Sequence, residues 1–478
     1  MRKAKIVCTI GPASDQPAML DRLIESGMDV ARLNFSHGTH ESHGRAVKAI
    51  REAAARRQAV VAILQDLQGP RIRVGALADG GIALVPGRTV RLLTGRSQAK
   101  PSAEDIPVTY ENLGRDVRPG ARILIDDGLI ELAATAVSDE AVTCQVLVGG
   151  TVKSHKGLNL PGTSVSASTL TDKDRADLRF GVGQGVDYVA LSFVRGPQDV
   201  TAARQLIAEY GGDVPVIAKI ERPEAIEHLE ALLDEADGVM IARGDLGVEM
   251  EPEAVPLLQK RIILEANRRR RLVITATQML ESMTHQATPT RAEASDVANA
   301  VFDGTDAVML SAETASGRFP VEAVRVMDRI VRAAEAGVDT PKPSPVLRRA
   351  EAAAERVSFP EALCAAACSA AAATEARAIV IFSESGATGR LMSKQRPVAP
   401  IIAFTPFDTV QRRMALYWGV MPHRMPRIAR TDERMLEVDR RVKAEGLAGA
   451  GDRLVILSGT LVDQPGGTNT MKLHAVTE

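Results

Sequence analysis

The segment Val214-Pro215-Val216-Ile217-Ala218-Lys219-Ile220-Glu221, followed by Gly238-Val239-Met240-Ile241-Ala242-Arg243-Gly244-Asp245, decides how this chain is read. Each segment is an apolar run closed by charge, and an amphipathic helical stretch lies between them. Two neighbouring parallel strands would therefore carry a pair of carboxylates and a lysine at the same end. Hard divalent cations are held by carboxylate oxygens, and a cation beside a fixed ammonium suits an enolate or a transferring phosphoryl group. Two surface acids on two loops would be the structural alternative.

Working outward, the same alternation continues in both directions. Apolar runs predict strands at 4–10, 29–35, 59–66, 187–194, 214–220, 238–243, 272–278 and 306–311. Helical periodicity falls at 15–26, 41–57, 172–183, 197–209, 223–233, 253–269, 290–302 and 320–335. Eight strand–helix units predict an α/β fold closed into a (β/α)8 TIM barrel. Residues 70–166 interrupt the pattern with short β-rich runs and turn signals such as Asp79-Gly80-Gly81 and Asp127-Gly128. They predict a small inserted β-barrel that hangs over the barrel mouth as a lid. The barrel itself is expected to use 1–69 and 167–340. Beyond the proline-rich linker Pro341-Lys342-Pro343-Ser344-Pro345, runs at 378–382, 400–404, 453–457 and 471–476 predict a C-terminal α/β domain over 341–478.

Composition narrows the function. Lys and Arg number 59 against 60 Asp and Glu, a net charge of -1, so no global field recruits nucleic acid or an anionic membrane. The run Arg268-Arg269-Arg270-Arg271 ends a predicted helix, where cations complement the helix dipole. Cys8, Cys144, Cys364 and Cys368 are too scattered for a disulfide framework and form no CxxC pair, which fits a reduced cytoplasm. Cys364 and Cys368, one turn apart on an alanine-rich helix, read as packing residues. Ala362 to Ala373 falls short of the roughly 20 residues of a membrane span. The N-terminus shows no signal-peptide core.

A barrel collects its active site from the carboxyl ends of its strands. Here those ends carry Arg32, Asn34, Ser36 and His37; Asp66, Arg71 and Arg73; Lys219 and Glu221; Gly244 and Asp245; Thr277; and Ser311 and Glu313. Cations from several directions with two metal-competent acids suit phosphoryl transfer, where catalysis is positioning and charge neutralisation. Singly, each has a duller reading: Arg32 paired with Asp66, Thr277 as a cap, Asn34 and Ser36 as turn residues.

The segments Lys5-Ile6-Val7-Cys8-Thr9-Ile10-Gly11-Pro12, Ala31-Arg32-Leu33-Asn34-Phe35-Ser36-His37-Gly38, Met240 to Gly247, Ala276 to Met283 and Pro289-Thr290-Arg291-Ala292-Glu293 closely resemble signatures of the pyruvate kinase family. The resemblance implies phosphoryl transfer from phosphoenolpyruvate to ADP. It implies that Glu221 and Asp245 hold Mg2+, with Mn2+ as an alternative, and that Lys219 stabilises the phosphoryl group and the enolate oxygen. Gly244, Asp245 and Thr277 would seat the substrate carboxylate, and Arg32 its phosphate. Asn34, His37, Arg73 and Lys156 would serve the nucleotide. Thr277, with Ser311 and Glu313 behind it, would relay a proton to the enolate carbon. Asn34, Ser36, Asp66 and the carbonyl of Leu67 match the family's potassium ligands. Leu67, Gln68, Arg71 and Val74, however, look like the potassium-independent branch, in which the Arg71 guanidinium supplies the missing positive charge. Ser316 is a smaller departure from the family pattern, where many members have lysine. Ser383-Glu384-Ser385-Gly386-Ala387-Thr388 resembles the family's allosteric phosphate loop. Glu384 there would disfavour a bisphosphate, which points to AMP or a sugar phosphate. The resemblance also suggests a homotetramer. Two other classes share parts of this pattern: a metal-dependent aldolase or lyase of oxo-acids, and a metabolite-binding protein without catalysis. The first has no use for the lid, Arg73 or Lys156, and the second would usually have lost a metal ligand or the central lysine.

Overall fold

Largely apolar strands can be buried on both faces only if something covers each face, and here helices cover one and the opposing strands the other. In the computed structural model, which describes residues 2–77, 80–95, 97, 105–337, 357–459 and 467–478, eight parallel strands do this. They are β1 (Lys5–Thr9), β2 (Val30–Asn34), β3 (Ala62–Asp66), β4 (Tyr188–Leu191), β5 (Val216–Ile220), β6 (Gly238–Ala242), β7 (Leu272–Ala276) and β8 (Ala307–Leu310), and they close in sequential order.

Strand parity sorts the residues. Ile63, Val189, Ala218, Ile220, Val239 and Val273 pack on the surrounding helices. The other parity, including Val7, Val30, Leu64, Ala190, Ile217 and Met309, fills the lumen. Two residues further along the same inward parity stand Thr9, Arg32, Asp66, Ser192, Lys219 and Ser311. The chemistry of the mouth is thus the continuation of the barrel's inner face.

Strand ends fall short of the expected ones by a few residues. The seventh stops at Ala276 because Thr277 and Gln278 take positive φ, 65° and 53°. The helix expected over 223–233 is two helices, Pro223–Glu227 and Leu229–Glu235, meeting at His228. A short helix, Arg243–Glu249, follows β6 directly. In the arginine run, Arg268 and Arg269 cap a helix and pair with Glu265 at 2.7 Å, which bears out the structural reading.

The inserted residues form a six-stranded sheet and a two-stranded ribbon around a separate apolar core. Residues 72–75 bind one sheet edge through Leu158 N to Ile72 O (3.0 Å) and the other through Gly75 N to Pro107 O (2.7 Å), closing the sheet into a small barrel. Asp79 of the predicted turn and the linker 341–345 lie outside the described residues.

The C-terminal sheet runs β11 (Val420–Arg424), β10 (Ile401–Thr405), β9 (Ala378–Phe382), β12 (Arg453–Gly459), β13 (Thr468–Ala475), parallel except for the last. The strand Val420–Arg424 has no counterpart in the sequence reading. Its half-exposed edge position tolerates Pro422 and needs no apolar run. This domain meets the barrel at the face opposite the mouth, where Tyr188 Oη donates to Arg413 O at 2.6 Å and Lys5 Nζ to Val420 O at 2.8 Å. Cys364 and Cys368 carry free thiols, each pushed up to about 12 by burial.

Candidate active site

Lys219 stands at the centre of the mouth, on the residue of β5 that faces Met240 of β6. Its Nζ lies 2.8 Å from Glu221 Oε1 and 3.3 Å from Asp66 Oδ1, and donates to Ser192 Oγ at 2.7 Å. Burial alone would push this ammonium down. Asp66, Glu221 and Asp245 outweigh it and hold the pKa above its ordinary value, so the charge is kept.

The acids differ from one another. Burial would raise the Asp66 carboxyl, but Lys219 and Arg32 win and hold it below its ordinary value. Arg32 Nε donates to Asp66 Oδ2 at 2.7 Å, so the pairing read as its structural alternative does exist. Arg32 NH1 also reaches Thr9 Oγ1 at 2.9 Å. Glu221 is pushed up by burial, with Asp245 adding to it and Lys219 opposing. Burial and Asp245 together outweigh the short ion pair with Lys219. A carboxyl held high by a neighbouring acid in a dry pocket is relieved by a cation between the two, so Glu221 and Asp245 fit a divalent ion. Among the described residues no third acid, histidine or cysteine joins them. Glu221 Oε2 is steadied by the Phe193 N–H at 2.7 Å.

Gly244 and Thr277 come together across β6 and β7. The Gly244 N–H donates to Thr277 Oγ1 at 2.8 Å, while that hydroxyl donates to Ala276 O at 2.6 Å. The left-handed backbone of Thr277 and Gln278 is held by Arg243, whose guanidinium donates to Thr277 O at 2.8 Å, to Gln278 O at 3.2 Å and to Asp296 Oδ1 at 2.7 Å. Glu313 is buried and ties the ends of strands seven and eight, accepting from Leu280 N at 3.1 Å and Ser311 N at 2.6 Å. Burial raises its carboxyl. Ser311 Oγ is buried without a protein partner.

His37 is largely exposed, and partial desolvation together with Arg71, Arg73 and Arg32, a cluster of positive charge at one side of the mouth, holds its imidazole below its ordinary value. Arg73 NH1 donates to His155 O at 3.2 Å, and Lys156 Nζ pairs with Asp126 Oδ1 at 2.8 Å. Asn34 Oδ1 accepts the Ser36 N–H at 3.1 Å, and the Leu67 carbonyl accepts the Ser192 hydroxyl at 2.7 Å. Sequence reasoning missed Ser192 and the loop-holding part of Arg243. The signal for Ser192 is parity, two residues beyond the lumen residue Ala190.

Far from the mouth, Ser383, Glu384, Ser385 and Gly386 form the turn between β9 and the helix Ala387–Lys394, and Ser383, Glu384, Ser385 and the helix residue Thr388 border a cleft with Thr405, Arg434 and Thr468. Glu384 is engaged by Arg427 through two bonds of 2.9 and 2.8 Å. Thr388 Oγ1 lies 2.7 Å from Thr468 Oγ1.

Two family models match: "Pyruvate kinase, barrel domain" over residues 1–324 and "Pyruvate kinase, alpha/beta domain" over 361–474. A pyruvate kinase of Geobacillus stearothermophilus is 46% identical over 481 residues, covering 100% of this chain and 81% of the relative. One from Staphylococcus aureus (strain MRSA252) is 44% identical over 478 residues, with the same coverage. A crystal structure of a pyruvate kinase from Cryptosporidium parvum superposes with a TM-score of 0.92 at 39% identity, covering 99% of this chain and 96% of that one.

Proposed function

The chain belongs to the pyruvate kinase family, and from that premise we propose how its own residues transfer a phosphoryl group from phosphoenolpyruvate to ADP, giving pyruvate and ATP. The observation that carries this reading is the Lys219 ammonium, charged and buried between Glu221 and Asp66 at the barrel mouth.

Glu221 and Asp245 hold Mg2+ or Mn2+, which when bound supplies positive charge to the substrate carboxylate and phosphate. Arg32 faces the phosphate and Lys219 the transferring group, and neither reorganises, because Asp66 and Ser192 fix them beforehand. Lys219 then faces the enolate oxygen. Gly244 and Thr277 seat the carboxylate once the Thr277 hydroxyl rotates away from Ala276 O and releases the Gly244 N–H. For protonation of the enolate carbon, Thr277 acts as a relay, since a hydroxyl is a weak acid alone. Ser311, with its unpartnered buried hydroxyl, and Glu313 stand behind it. Asn34, His37, Arg73 and Lys156 bind the nucleotide, the last two from the lid formed by 70–166.

Potassium is dispensable in this reading. Asn34, Asp66 and Leu67 already have their oxygens engaged within the protein, and Arg71 adds fixed charge at the same side of the mouth, where it acts on His37. The turn from Ser383 to Thr388 takes a phosphorylated effector such as AMP or a sugar phosphate. Arg427 neutralises Glu384 there and leaves Ser383 and Thr388 to face one phosphate. The enzyme acts in the cytoplasm, in glycolysis, as a homotetramer. Among the described residues no helix is long and apolar enough to cross a membrane.

A coupled assay of ATP formation from phosphoenolpyruvate and ADP tests the reading. Turnover that needs a divalent ion and ADP supports it, and absence of ADP-dependent turnover overturns it. Calorimetry with AMP and sugar phosphates tests the effector turn, whose binding should vanish in Ser383→Ala plus Thr388→Ala.

A further inference from the structure

The helix Arg243–Glu249 looks two ways. Asp245 opens it toward the mouth. One turn later Glu249, 6% exposed, points at the inserted barrel, where Asn159 Nδ2 donates to its Oε1 at 2.9 Å. A carboxylate only accepts, so the amide nitrogen of Asn159 must be the end that faces it. The second oxygen, Glu249 Oε2, is buried without a protein partner in a cleft that Asp245, Asn159 and Phe193 also border.

We propose that Glu249 is a positioning residue, and that its bond to Asn159 is the latch holding the inserted domain over the barrel mouth. This rests on the reading of that domain as a nucleotide-gripping lid. The latch then sets the affinity for ADP and leaves the chemical step and the binding of phosphoenolpyruvate to the barrel.

Three features support it. Asn159 lies in the short strand Leu158–Asn159, which pairs with Leu124 and Ile125 and directly follows Lys156 and Gly157. Displacing Asn159 therefore carries Lys156 with it. Among the described residues, the other polar contacts between the two domains have a different character. Arg222 NH2 to Thr163 O (3.0 Å) and Arg195 NH1 to Val165 O (2.5 Å) grip the connector that returns to the barrel, and they can persist while the lid turns about it. The pair Arg122–Glu251 at 3.4 Å is exposed and screened. Finally, the latch is poised to release. Glu249 is taken out of water with one oxygen unsatisfied, and an opened lid rehydrates it. The gain from the bond and the penalty of burial thus oppose each other, which keeps the closed and open positions close in free energy.

The test varies ADP and phosphoenolpyruvate separately in the full enzyme and follows the distance between spin labels placed by Thr135→Cys in the inserted domain and Leu257→Cys in the barrel, both exposed positions. Asn159→Ala should raise KM for ADP about tenfold, the value of one charged hydrogen bond, with kcat and KM for phosphoenolpyruvate within about twofold and the label distances shifted toward an open population. Glu249→Gln keeps an oxygen for Asn159 and removes the buried charge, so KM for ADP should not rise and the open population should shrink. A fall in kcat with both KM values unchanged in Asn159→Ala, or Glu249→Gln behaving like Asn159→Ala, overturns the proposal. An unchanged distance distribution in Asn159→Ala also overturns it, whatever the activity. If the wild type makes no ATP, the function proposed above fails, and the distance measurement still decides the latch.

Discussion

At the residue scale, Lys219 is held by acceptors from three strand ends: Glu221 on its own strand, Asp66 from the third and Ser192 from the fourth. Ser192 also donates to Leu67 O, so its hydroxyl is a strut between the ammonium and the third strand. Ser192→Ala should lower kcat about tenfold while KM for phosphoenolpyruvate stays within about twofold, because it loosens the ammonium proposed to act in the transition state. Steady-state kinetics would read this, and unchanged kcat would count against it. Potassium is a second question at this scale. Omitting it should leave most activity in potassium- and sodium-free buffer, and a many-fold loss would remove the part given to Arg71. Lys219, Glu221 and Asp245 were legible in the sequence because charge closing an apolar run is rare. Ser192 was not, because a serine after a strand looks like any turn residue.

At the element scale, the loop after the seventh strand carries the most strain in the mouth. A β-branched residue with positive φ, as at Thr277, typically costs about 1–3 kcal/mol and persists only where neighbours hold it. Arg243 does so with its planar fork across the carbonyls of 276, 277 and 278. Arg243→Lys keeps the charge and loses the fork, so kcat should fall about tenfold or more with little change in overall stability. Kinetics beside a thermal melt would check it, and wild-type kcat would refute it. The entry of the chain into the inserted domain depends on another close fit. Gly69 has φ +69°, a Cβ there would lie 2.7 Å from the Phe193 ring, and its N–H is held by Asp174 at the capped start of helix Asp172–Gly183. The eight strands were readable from buried apolar runs. The edge strand Val420–Arg424 was not, since edge position removes the pattern that reports a strand.

At the scale of the whole molecule, the barrel's lower face repeats one device four times. Asp29, Asp187, Asp237 and Asp306 each stand just before an even-numbered strand and accept the N–H of Ile6, Ile63, Val216 and Val273 on the preceding odd one. The C-terminal domain docks on this ring: Arg412 reaches Asp187 at 2.8 Å, and Lys394 and Arg396 reach Asp306 at 2.5 and 2.8 Å. Burial, assisted by Arg396 and Arg390, outweighs Asp306 and lowers Lys394 from 10.5 to about 8. Between those values the folded protein has shed a proton that the unfolded chain still binds, so this residue's contribution to stability rises with pH across that window. The melting temperature of the wild type should therefore gain on that of Lys394→Met as pH goes from about 8 to 10, by up to about 3 kcal/mol in stability at about 1.4 kcal/mol per unit. A constant difference would refute it. None of this docking was legible beforehand, because the aspartates are far from the C-terminal domain in sequence and carry no local pattern.

The proposed chemistry turns on Lys219 acting beside a cation held by Glu221 and Asp245. The direct test is Lys219→Met, assayed for ATP formation from phosphoenolpyruvate and ADP while manganese binding is followed by electron paramagnetic resonance. Turnover should fall by about a thousandfold or more, as when a group aimed at transition-state charge is removed, while manganese still binds. Turnover equal to that of the wild type would contradict the account.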